Sequence, residues 1–478
     1  MYRGTRISRL GGAMTSSRFS RRSLAKAGLS TGFLAAAAAA PGPVRSYLLS
    51  EAAARQGTPE AAAADFPPLP TSPVGANVVV WTYRPDIVVD NLNLWAEMNG
   101  QPQPTFADIP GVYEYANVIA AKFLGGEQLD MMYCHSDQLN RWYKAGWLRD
   151  DIDTLPFVQE MMPNLRPWGI ENMSTFEGKM IGLPYWAGTK YWIYNDLHFE
   201  KAKIDKAPET WEEFEEQCKI LQGVGIQHPY IPYWRHDFWA LGWSLFVESY
   251  SDGDYIFDDE GNLTVTDGDT PFREMLERWK RMYDTGIVPP DSFQIGDPTV
   301  RFNTGEHTFC ANDDYSHKKN NDPSVSKIAG HAHNMLNPGK THETTAISPM
   351  YVFGKNVQTP REVQDDLAQF YGGRYKDGEY HVAIRWVLEE GLGTIDTEVM
   401  NMPDVVASFS EWRDVDLYNQ QLELGRPRNV QKQLWYPEWE FKTLALVEDF
   451  VLGKIDIGTT LKTMQENLDG AKQLYPTF

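Results

Sequence analysis

Three cysteines in 478 residues, Cys134, Cys218 and Cys310, are too few and too widely spaced for a disulfide framework or a cysteine-based metal motif. At most one bridge could form, which neither requires nor excludes an oxidising compartment. Basic residues are scarce as well: 44 Lys and Arg stand against 65 Asp and Glu, a formal net charge of -21. Nine of those basic residues, with a single acid (Glu51), fall in residues 1–55, so the remainder is more acidic still. No dense basic patch interrupts that acidity, which excludes nucleic acid phosphates and anionic lipid as the main partners. Long apolar runs are also missing. The longest, within "GLSTGFLAAAAAAPG" (28–42), is about fourteen residues and too short to span a bilayer.

What is present near the start reads as an address. "SRRSLAKAGLSTGFLAAAAAAPG" (20–42) places Arg21-Arg22 and Lys26 ahead of that apolar run, with small residues after it. The pattern resembles a twin-arginine export signal over residues 1–55, with a plain secretory signal and an organellar transit peptide as alternatives. A small, Pro-rich linker is expected over 56–75. Beyond it the chain alternates. "ANVVVWTY" (76–83) and "QLDMMYCHSDQ" (128–138) read as buried strands, and "LNRWYKAGWL" (139–148) as an amphipathic helix. That order predicts doubly wound α/β layers with ligand at the C-terminal ends of the strands. Thr210 with Glu213 forms a capping-box pattern opening a helix that Gly223 stops. "YIFDDEGNLTVTD" (255–267) reads as a hairpin, and Leu461, Met464, Leu468, Ala471 and Tyr475 line one face of a final helix.

Several segments then fall in a recognisable order: "VVVWTY", "KFLGGEQLDMMYCHSDQLNRWYKAGWLRDDID" (122–153), "FEGKMIGLPYWAGTKYWIYNDLHFEKAKIDKAPETWEEF" (176–214), "MYVFGKN" (350–356) and "LALVEDFVLGKIDIGTTLKTMQENLDGA" (444–471). Together they resemble the extracellular solute-binding proteins of the maltose-binding-like family, receptors of ABC importers. The resemblance implies a two-lobed periplasmic-binding-protein fold, with doubly wound sheets joined by a hinge. It places 76–186 and 346–395 in one lobe, and 187–345 and 396–478 in the other. It implies a monomer outside the cytoplasm that captures a sugar or oligosaccharide by hinge closure and delivers it to a membrane permease. No ATP site is expected, since "GKT" (339–341) has Asn334 where a phosphate loop needs glycine. Residues 337–348 and 389–418 depart from the family pattern.

Candidate ligand residues follow from sugar chemistry, in which aromatic faces cover C–H groups and polar side chains satisfy hydroxyls. The first strand ends in Tyr83 and Arg84, and the later one in His135, Ser136 and Asp137. Tyr185 and Trp186 sit at the hinge, whereas Trp192 and Tyr194 are expected to pack. "YWRHDFWALGW" (233–243) interleaves Trp234, Arg235, His236, Asp237 and Trp239, the most ligand-like cluster in the chain. "FCANDDYSHKK" (309–319) offers Asp313, Asp314 and Tyr315, the two acids facing opposite ways if they continue a strand. Neither metal nor cofactor is expected, although His331 and His333 would point the same way in a strand. Two rival functions are a receptor for a cationic solute such as a polyamine, and a secreted carbohydrate-active enzyme with paired carboxylates.

Overall fold

Val78, Val79 and Val80 are no more than 1% exposed. A strand with neighbours on both edges and layers on both faces has no wet side, so it reads as a continuous apolar run. A computed structural model describes residues 68–475 apart from positions 73, 74, 83 and 110. The expected export signal and most of the expected linker lie outside the described residues.

The first sheet runs from edge to edge through residues 105–108, 77–80, 131–134, 350–353 and 183–184. Strands β1 (Asn77–Val80), β2 (Thr105–Asp108) and β3 (Met131–Cys134) are parallel, while β10 (Met350–Phe353) runs antiparallel to β3 and to β4 (Leu183–Pro184). The second sheet is built on β5 (Gly188–Asn195). One edge of β5 pairs antiparallel with β7 (Phe309–Asp313); the other pairs with β8 (Ala332–Met335) and β9 (Thr344–Ile347). Short β6 (Tyr230–Ile231) and β11 (Gly425–Arg426) lie parallel to β7 and β9. The α/β, two-lobed architecture expected from the sequence is the one observed, and the described residues fall within one unit.

Two passes of chain connect the two sheets, 185–187 from β4 to β5 and 348–349 from β9 to β10, and a third segment, 391–395 after the Ala383–Glu390 helix, runs beside them. They are tied to one another where the Ala187 amide donates to the Gly393 carbonyl at 2.8 Å. A Cβ on Gly393 would stand 2.6 Å from the Ala187 carbonyl oxygen, so the passes approach this closely only with glycine there. Alternation along β5 divides the core. Tyr191 and Ile193 join the cluster that runs from the first sheet, whereas Trp192 joins a second one with Trp211, Phe214, Tyr230 and Trp234. Tyr194 packs against that second cluster by stacking on Phe199 at 4.6 Å.

Local signals account for several element ends. Thr210 Oγ1 accepts from the Glu213 amide at 3.2 Å and starts the Trp211–Gly223 helix, while the Glu213 carboxylate reaches back to the Glu209 amide at 2.8 Å. Two expectations are corrected. The 255–267 hairpin is reduced to a single bridge, Phe257 to Leu263, because Asp258 folds its oxygens onto the Asn262 amide and side chain and closes a tight turn. Tyr475 is 43% exposed at the end of the Ile457–Leu474 helix, beyond the buried row of Leu461, Met464, Leu468 and Ala471. His331 and His333 both turn to one carboxylate, Asp196, at 2.8 Å each.

Candidate functional site

A cavity of about 430 Å³ opens between the two sheets, within the roughly 300–1,000 Å³ range of small-molecule pockets. From the first-sheet side come Trp81, just past the end of β1, and Glu389 and Glu390 at the end of the Ala383–Glu390 helix. From the second-sheet side come Tyr233 and Arg235 beyond β6, Asp297, and Asn312, Asp313 and Tyr315 at the end of β7. Rings therefore face the cavity from both sides, with polar groups between them.

Several charges in this wall are paired within the protein. Asp313 accepts from Lys190 Nζ at 2.6 Å and from the Tyr315 hydroxyl at 3.0 Å. Lys190 and Asp313 are 5% and 4% exposed, so neither charge is shielded by water. Burial pushes the Lys190 ammonium down against the pull of Asp313. The ammonium also lies over three rings, 4.7 Å from Tyr233, 5.1 Å from Trp239 and 5.9 Å from Trp243. Across the cavity Arg84 bonds Glu390 and reaches Glu389 at 3.2 Å, and Glu389 also accepts from Arg385 at 2.7 Å. Asp297 accepts from the Thr299 amide at 2.9 Å and from Asn312 at 3.3 Å. Arg235 bonds Asp237.

One contact ties the sides directly. Lys318, on the Ser316–Asn320 helix, donates to the carbonyls of Leu388 at 3.2 Å and Glu389 at 2.9 Å. These carbonyls end the Ala383–Glu390 helix, where the helix dipole favours a cation. Burial lowers the Lys318 ammonium, and the acidic side chains Glu390, Glu411 and Glu389 oppose that.

The residues anticipated from the sequence are distributed unevenly around this cavity. Arg235, Asp313 and Tyr315 line it. Arg84 stands behind Glu389 and Glu390, and Tyr83 lies outside the described residues. Tyr185 is 4% exposed among Tyr351, Trp386 and Tyr133, so it is wall structure, while Trp186 meets the Tyr315 ring edge-on at 5.6 Å from behind. His135 Nδ1 bonds Asp137 at 3.1 Å, and its ring faces Trp239 at 5.7 Å. Burial raises Asp137, but the bond and charge of His135, with Arg141 and Arg428, outweigh it and hold the carboxyl below the usual range. Ser136 accepts from Gln431. Asp237 accepts from the amides of Trp239 and Ala240 at 2.9 and 2.8 Å.

Three placements correct the sequence reading. Trp234 is fully buried between Trp279 at 4.7 Å and Phe293 at 5.7 Å, because the residue beside it, Tyr233, takes the cavity side. His236 turns outward to Glu448 at 2.6 Å. Asp314 points away from its neighbour and accepts from the Thr189 amide and the Tyr418 hydroxyl, where burial raises its carboxyl to about 6. Trp81, Tyr233, Lys190, Asp297, Lys318, Glu389 and Glu390 were not anticipated. Trp81 was available from the end of the first strand, whereas Glu389 and Glu390 sit in the stretch that departs from the family pattern.

Residues 112–371, more than half of the chain, match the family described as bacterial extracellular solute-binding protein. No curated protein matches the sequence. Among solved structures, maltose-bound MalE3 of T. maritima is 17% identical with a TM-score of 0.67, covering 83% of this chain and 99% of its own. The cyclic alpha-maltosyl-1,6-maltose binding protein of Arthrobacter globiformis is 14% identical with a TM-score of 0.69, covering 84% and 99%. An ABC transporter solute-binding protein of Agrobacterium vitis S4 with bound D-mannitol is 16% identical with a TM-score of 0.67, covering 84% and 100%. The fold is thus shared with these two-lobed receptors, and the protein belongs to the bacterial extracellular solute-binding protein family.

Proposed function

We propose that this protein captures a neutral, polyhydroxylated solute, a sugar or sugar alcohol, and presents it to the membrane subunits of an ABC importer. The lobes would be 76–186 with 346–395 and 187–345 with 396–478, closing over the cavity about the two connecting passes and the segment beside them. The observation that carries this reading is the cavity wall itself. Trp81 faces Tyr233 and Tyr315 across the space, and Asp313, Glu389, Glu390 and Arg235 are each matched by a protein partner. These matched charges leave lone pairs and N–H groups for hydroxyls, and the lining acids without a cation among the described residues, Asp297 and Asp322, are taken up by the Thr299 and Ser324 amides, which favours a neutral solute over a polyamine. The maltose and D-mannitol held by similarly folded proteins belong to the same chemical class.

The test is a thermal-shift and calorimetric screen of glucose, maltose, mannitol and spermidine, with product analysis of each mixture. Binding of at least one sugar or polyol, with no product formed, is the expected result. A response to spermidine alone would move the solute to the cationic class, and turnover would make the protein an enzyme. Trp81→Ala and Tyr315→Ala are each expected to weaken sugar binding roughly 3–10-fold, from about 0.5–1.5 kcal/mol of ring contact. An unchanged dissociation constant in both would remove the rings from the site.

A further inference from the structure

We propose that Trp239 is a specificity-determining wall, closing one end of the cavity against His135 and thereby setting the upper length of the solute. This rests on the sugar-binding reading above and adds a limit to it. Tyr233 and Asp313 line the cavity, and Lys190 lies against both. On the other side of Lys190 stands Trp239, its ring 5.1 Å from Nζ and its carbonyl accepting from the same nitrogen at 3.4 Å. The Trp239 ring then reaches across to the first-sheet side and meets His135 edge-on at 5.7 Å.

The wall is built rather than incidental. Asp237 holds the Trp239 and Ala240 amides at 2.9 and 2.8 Å and bonds Arg235, a cavity residue, so the backbone carrying the ring is fixed from the cavity side. His135 is held in turn: it starts the Ser136–Lys144 helix, its amide donates to the Gln138 side-chain oxygen at 3.2 Å, and Nδ1 bonds Asp137. Behind the wall a polar group waits. His135 is 5% exposed, and its Nε2 has no hydrogen-bond partner among the described residues. A buried ring nitrogen without a partner is a group that a ligand hydroxyl would satisfy. Removal of the Trp239 ring is expected to extend the cavity past Lys190 toward that nitrogen and Asp137, the room that a further sugar ring would need.

The experiment compares glucose, maltose, maltotriose and maltotetraose, with the matching cellobiose series, on the purified chain and on Trp239→Ala. Far-UV circular dichroism and melting establish that the variant is folded, and Trp239→Phe, which shortens the ring without removing it, carries the test if the alanine fails to fold. The expected result is a wild-type affinity that falls at least tenfold beyond a limiting length. In the variant that fall disappears, and the shorter saccharides lose less than threefold. Equal wild-type affinity for every length, or a length limit unchanged in both variants, would overturn the proposal while leaving sugar binding intact. Binding of no saccharide by any of the chains, with spermidine bound instead, would overturn the sugar reading and this inference with it.

Discussion

Asp313→Ala is expected to lower the stability of the chain by roughly 3–5 kcal/mol, the cost of leaving a buried charge without its partner. Lys190 would then keep its ammonium at 5% exposure among Tyr233, Trp239 and Trp243, whose faces supply about 0.5–2 kcal/mol each at best. The damage would not stop at the pair. Tyr315 loses the acceptor for its hydroxyl, and a cavity wall loses the group that fixes it. The double variant Lys190→Met with Asp313→Asn removes both charges while keeping an oxygen for Tyr315, so it should recover most of the loss. Thermal melting of the three variants checks this. A single variant melting with the wild type, or a double variant no better than the single one, would refute the account.

The second large effect is on pH. Burial pushes the carboxyls of Asp314 and Asp396 up to about 6, and those of Glu248 and Glu440 up to about 7. Each folded-state value lies above its unfolded one, so the native state binds more protons in that interval and stability falls as pH rises through it. At about 1.4 kcal/mol per tenfold change in proton affinity, each group accounts for up to roughly 3 kcal/mol. The opposite sign holds for Asp86, Asp137, Asp151 and Asp291, which are lowered and whose contribution is lost as pH falls below about 4. Burial lowers His198, His307 and His317, the last to about 3. These groups contribute more stability as pH rises toward their unfolded value of about 6.5 and offset part of the carboxyl loss below it. The melting temperature should therefore fall most clearly between about pH 6.5 and 7.5. Glu248→Gln removes one of the raised groups and should flatten the decline. A melting temperature that rises from about pH 6.5 to pH 7.5 would refute the assignment.

Much of the fold was legible because its signals are local. The valines of β1 announce a strand buried on both faces, and Thr210 with Glu213 announces a helix start. The site was legible in parts for a different reason. The ends of β3 and β7 could be located, so Asp313 and Tyr315 could be named before they were seen to line the cavity, and His135 and Asp137 before they were seen beside Trp239. Which of two adjacent rings faces it could not. Tyr233 and Trp234 differ only in the phase at which the chain leaves two-residue β6, and that phase is set by packing against Trp279 and Phe293, distant in sequence. Glu389 and Glu390 reach the cavity only because the Ala383–Glu390 helix packs Trp386 onto Tyr185, some two hundred residues away. Short runs of sequence carry helix and strand; they do not carry the far side of a cleft.

The three cysteines, sparse from the outset, have a practical consequence. Cys134 and Cys218 are fully buried and Cys310 nearly so, and burial pushes every thiol well above its ordinary range. Thiolate is the reactive form, so a maleimide dye should leave the folded chain unlabelled and take up three equivalents only after denaturation. Labelling before denaturation would show that one of these strands or helices opens readily. A cysteine placed at exposed Lys319, on the cavity rim, would then be the single reactive position on the native surface. A dye there would report the closure proposed above as a fluorescence signal, with no native residue to remove first.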